Sequence, residues 1–76
     1  MDQTLINTAW NVTAMLERLS ADSIWAHRAS GLRGSLLRAL AGLEIRQPTP
    51  IESSELNRLV QVGFDILEKA AREIRA

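Results

Sequence analysis

Between Trp25 and Leu43 the apolar residues Trp25, Ala29, Leu32, Leu36, Leu40 and Leu43 recur at spacings of four, three, four, four and three. A helix returns side chains to one face at that period, so the stretch reads as an amphipathic helix. The phase passes unbroken through Ser30-Gly31 and Gly34-Ser35. Each interior glycine costs a helix about 1 kcal/mol relative to alanine. A register kept across two such losses predicts that something comes close to that backbone. Ala26, Ser30, Leu37 and Ala41 border the stripe and extend the expectation of close packing.

The same pattern appears on either side. Leu5, Ala9, Val12, Leu16 and Leu19 line a first helix over about residues 3–20, with Asp2 or Thr4 as candidate N-cap. Ser20-Ala21-Asp22-Ser23 reads as the turn, and Asp22 or Ser23 as the cap of a second helix over about residues 23–42, which stops at Gly42. Pro48 and Pro50 forbid a continuous helix beyond it. Thr49 at N-cap, Pro50 at N1 and Glu52 at N3 form a capping box that opens a third helix over about residues 50–75. Its stripe is Leu56, Leu59, Val60, Gly63, Ile66, Leu67, Ala70 and Ile74. Asp65–Lys69 and Glu68–Arg72 are spaced as i,i+4 ion pairs on the wet side. Strand-like alternation, repeats and low-complexity segments are absent. The chain is therefore expected to be all-α, one domain over residues 1–76, folded as an antiparallel three-helix bundle.

Size sets the next constraint. A domain of 76 residues buries only about 60% of its unfolded surface. Disulfides, metals or self-association usually reinforce such a chain. There is no cysteine, and His27 is the only histidine, which removes disulfides, zinc–thiolate sites and histidine-rich metal sites. Self-association, most simply a homodimer, is the reinforcement left. The third helix, about 37 Å long against about 27 Å for the first, is expected to overhang and offer apolar surface to a second chain.

Some apolar residues lie off the stripes. Trp10 sits about 160° around the first helix from Val12, and Ile6 about 120°. Ala14 and Thr13 share that side. Either this helix is central and touches both neighbours, or Ile6 and Trp10 pack against another subunit. Trp25 and Phe64 are the other candidate partner-binding residues. Gly63, in the middle of the third stripe, predicts close helix–helix approach.

Net charge is zero, but residues 23–48 carry +3 against −2 for residues 1–22 and −1 for residues 49–76. His27, Arg28, Gly31, Ser35 and Arg38 share one face of the second helix, with Arg33 nearby. His27, Arg28, Arg33 and Arg38 are thus candidate anion-binding residues, for a phosphate, a carboxylate or nucleic acid. The simpler alternative is a solvated face whose arginines pair with glutamates of a neighbouring helix. "RASGLRGS" lacks P-loop spacing and follows no strand. The second helix lacks the Asn or Gln that read adenine, so nucleic acid is the weaker partner. No nucleophile, base and orienting group are arranged around His27, and no catalytic, cofactor or metal site is expected. No apolar run has the length of a membrane span and the N-terminus has no signal-peptide pattern, so the cytoplasm is the expected compartment. The expected function is a small protein–protein interaction module, an accessory, scaffold or chaperone-like subunit that docks through apolar helix faces.

Overall fold

The computed structural model describes residues 3–19, 21–43 and 47–75, with the side chains of 74 and 75 excluded. Three helices follow one another: α1 (Gln3–Glu17), α2 (Ala26–Ala41) and α3 (Pro50–Arg75). Each packs on both others in a bundle 42 × 16 × 16 Å. The order is up, down, up. The start of α1 lies beside the start of α3, where Thr4 and Leu5 face Ser53 and Asn57. Ser23, just ahead of α2, meets Glu73 near the end of α3.

The three stripes meet along the bundle axis. Ala9, Val12 and Leu16 from α1, Ala29, Leu32, Leu36 and Leu40 from α2, and Leu56, Leu59, Val60 and Ile66 from α3 form one buried cluster. Leu5, Leu19, Trp25, Leu43 and Leu67, at the stripe margins, are half-buried against it. Thr13 is buried as well, and its hydroxyl donates to the Ala9 carbonyl at 2.8 Å, so no polar group is orphaned there.

Gly63 sets how closely α1 and α3 approach. A Cβ at that position would stand 2.5 Å from Val12 Cγ1, 3.5 Å from Leu32 Cδ2 and 3.9 Å from Leu16 Cδ1. Val12 is β-branched and stiff within a helix, so it cannot swing aside cheaply. The glycines of α2 behave differently from expectation. Nothing lies within 4 Å of a Cβ at Gly31, and only the Arg38 side chain, at 3.5 Å, approaches one at Gly34. Ser30 and Ala41 are exposed. The helix runs unbroken past both glycines, but among the described residues nothing fills the space at Gly31 and no other helix fills that at Gly34. Those glycines weaken α2 and mark open backbone.

Helix ends follow the sequence where the cap is local. Thr49 N donates to Glu52 Oε1 at 2.9 Å and Glu52 N donates to Thr49 Oγ1 at 3.2 Å, which is the reciprocal capping box. Thr4 lies inside the first turn of α1, so it is not the cap, and Asp2 lies outside the described residues. α1 ends at Glu17, where tighter bonds from Arg18 N to Met15 O and from Leu19 N to Leu16 O close its last turn. α2 starts at Ala26, later than the expected start near residue 23, and its N-cap is Trp25, without a side-chain cap bond, in place of Asp22 or Ser23. Ser23 Oγ donates to Glu73 at 2.7 Å and accepts from Trp25 N at 3.1 Å, while Ile24 N donates to Glu73 at 3.1 Å. A carboxylate from α3 thus takes up a free amide ahead of α2 and adds negative charge near its positive end. Gly42 follows α2 with φ −70°, a right-handed conformation that needs no glycine.

At 26 residues against 15 and 16, α3 is by far the longest helix. As far as Glu73 its C-terminal end is occupied by the α1–α2 connection and does not hang free. Ile51, in its first turn, is 83% exposed.

Gly63→Ala should destabilise the fold by about 1–3 kcal/mol through overpacking, despite the better helix propensity of alanine. Gly31→Ala should stabilise it by about 0.5–1 kcal/mol, because its Cβ meets nothing. Urea unfolding followed by circular dichroism reads both, and a stabilised Gly63→Ala would contradict the close approach. Glu73→Ala should cost about 1 kcal/mol in the same assay.

Candidate functional site

The candidate partner residues do not converge. Ile6 and Trp10 lie on the flank of α1 that turns toward α2. Ile6 is half-buried against the core, whereas Trp10 is 41% exposed. Glu17, seven residues on and about 20° away around the helix, pairs with Arg33 of α2 at 3.6 Å. Trp25 belongs to the α2–α3 side. Its ring is half-buried, with the Lys69 ammonium 5.3 Å from the ring centroid and the Arg28 guanidinium 5.7 Å from it. Such cation–π contacts stabilise by about 0.5–1 kcal/mol at exposed sites. Trp25 is therefore partly engaged within its own chain. Phe64, 42% exposed, lies on the third side, between α3 and α1.

A groove runs along that third side in two parts of different character. Near the chain start it is a shallow depression of about 470 Å³ lined by Thr4, Thr8, Asn57, Gln61 and Phe64 among others, and no lining residue carries a charge. Toward the far end it is a more apolar hollow of about 520 Å³ floored by Met15, Leu19, Leu67 and Ala71, with Arg18, Asp22 and Glu73 at its edge. Met15 is 39% exposed. Exposed Phe and Met beside uncharged polar groups make a surface suited to contact with another protein. Sequence reading selected Phe64 but missed Met15, Thr4, Thr8 and Gln61. Their face becomes visible only once α1 and α3 are known to run side by side in parallel.

The candidate anion-binding residues split. Arg33 is taken by Glu17. His27, Arg28 and Arg38 are exposed on the outer side of α2. Arg38 donates to Ser35 Oγ at 3.3 Å, and its place in the last turn complements the helix dipole. Among the described residues no carboxylate lies within 4 Å of Arg28 or Arg38. Elsewhere the bases of α3 are paired: Arg58 with Glu55, Lys69 with Asp65 at 3.0 Å and Arg72 with Glu68 at 3.2 Å. The Arg58 hydrogen bond holds the Glu55 carboxyl below its ordinary range, and both side chains are exposed. Among the described residues no three His, Asp or Glu are grouped to hold a metal ion. No described helix is long and apolar enough to cross a membrane.

No family model, curated protein or solved structure matches this chain.

The two indoles should report their different surroundings. Trp25→Phe, which leaves Trp10, should give redder emission and stronger acrylamide quenching than Trp10→Phe, which leaves Trp25. The reverse order would place Trp10 in the interior.

Proposed function

We propose that this chain is a small helical protein–protein interaction module, an accessory, scaffold or chaperone-like subunit that forms a homodimer. The supporting observation is the exposure of Trp10 and Phe64, 41% and 42%, outside the buried cluster that the three helices share. Large apolar groups left in water forfeit about 25 cal/mol for each Å² of surface that burial would remove. Aromatic side chains of this kind dominate binding energy at interfaces. A domain this small gains from such burial more than a large one does. On this reading docking is apolar, the chain carries no catalytic centre, cofactor or metal, and its working compartment is the cytoplasm.

A second reading, binding of an anionic ligand or nucleic acid through His27, Arg28 and Arg38, is favoured by the lack of described carboxylate partners at both arginines. Arg33 contributes less to it because Glu17 already pairs with it. The two readings differ in salt response, since phosphate binding weakens steeply as salt rises and apolar association does not.

Sedimentation equilibrium over a range of concentrations and salt levels tests the proposal. The expected result is a molar mass that climbs from one chain to two with concentration and is indifferent to salt. The doubly truncated Trp10→Ala, Phe64→Ala chain should stay monomeric while keeping its helical circular dichroism. A single-chain mass at every concentration would count against the homodimer.

A further inference from the structure

We propose that the outer face of α2 docks an acidic helix of a partner protein, held at Arg28 and Arg38 across the open backbone at Gly31. The inference rests on the reading of this face as anion-binding, and it names the partner. α2 holds Arg28, Arg33 and Arg38 and no acid. Arg33 is paired with Glu17. Arg28 and Arg38 are exposed, and among the described residues no carboxylate reaches either. The bases of α3 differ, because Arg58, Lys69 and Arg72 each have an acid one turn away on their own helix. Two uncompensated positive charges therefore stand on one side of α2, and an acidic surface is their electrostatic complement.

The spacing of the two arginines selects the occupant. Arg38 follows Arg28 by about 15 Å along the helix axis and about 80° around it. One phosphate or carboxylate does not span that distance. A small anion thus meets a single exposed arginine in water, where such a contact is worth little. Duplex DNA spans it, but brings a negative charge for about every 1.7 Å of its axis. This chain sets nine acids against nine lysines and arginines, so its whole surface does not favour such a polyanion. A helix of about ten residues is about 15 Å long, and carboxylates at its two ends match the two arginines. Between the arginines the surface is low. A Cβ at Gly31 would meet nothing within 4 Å, and one at Gly34 only the Arg38 side chain at 3.5 Å. Helix axes come closer where the side chains at the crossing are small. A partner helix therefore seats against bare backbone while its carboxylates reach Arg28 and Arg38. Ser35 Oγ donates to the Gly31 carbonyl at 3.3 Å and accepts from Arg38 at 3.3 Å, which keeps Arg38 beside this gap.

Amide NMR titration of the full chain with three probes tests the assignment. The first probe is an alanine-based peptide of about 18 residues, long enough to hold a helix alone, with glutamate pairs about 15 Å apart on one face. Saturable shifts of the Gly31 and Gly34 amides are expected, with affinity falling about tenfold from about 0.01 M to about 0.15 M salt. Replacing both arginines, Arg28→Gln with Arg38→Gln, should weaken binding by about tenfold or more at unchanged circular dichroism, since both are exposed. Gly31→Gln adds bulk without charge and should weaken it about as much. Full affinity in that variant would overturn the seating on open backbone. Inorganic phosphate and a DNA duplex are the other probes. If either saturates the same amides more tightly than the peptide, the face binds an anion and a helix is the wrong partner. If none of the three shifts them, the anion-binding reading fails as well.

Discussion

The contact of Gly63 with Val12, Leu16 and Leu32 decides where everything else lies. It brings α3 against α1 with no side chain between the backbone at Gly63 and its neighbours. With that distance set, the stripes of all three helices close on one axis and Leu36, Leu40 and Leu56 become fully buried. The same approach draws the flanks of α1 and α3 into a groove, so the candidate interface depends on the packing of the core. It also aligns the end of α3 with the α1–α2 turn, which lets Glu73 reach Ser23 and Ile24.

Glycine thus has two opposite meanings in this chain. Gly63 gives room that Val12 fills, whereas Gly31 gives room that nothing described here fills. Sequence treats the two alike, because a missing side chain says that space exists and not whether a neighbour takes it. The expectation of close approach was right on α3 and, among the described residues, wrong on α2 for that reason.

Legibility followed sequence distance in other respects too. The stripes and the Thr49–Glu52 capping box are short-range patterns, and they stand where the residues place them. The Asp65–Lys69 and Glu68–Arg72 pairs are one helical turn apart and were equally readable. The start of α2 was not, because its amide partner, Glu73, comes from the far end of α3. Nor was the setting of Trp25, whose ring takes Lys69 from another helix. The candidate interface residues were found by their misfit to the stripes, yet wheel positions alone could not show that Trp10, Trp25 and Phe64 lie on three different sides. The charge-free groove needed the order and parallel alignment of α1 and α3 before it existed as a surface.

Direct steric contact between Gly63 and Val12 is best measured by a double-mutant cycle. Val12→Ala removes the methyl groups that a new Cβ at position 63 would strike. Gly63→Ala should therefore cost less in the Val12→Ala background than in the parent, with a coupling of about 1 kcal/mol or more from urea unfolding. Additivity within about 0.3–0.5 kcal/mol would mean that the two residues do not meet and that α3 does not pack on α1 through Gly63.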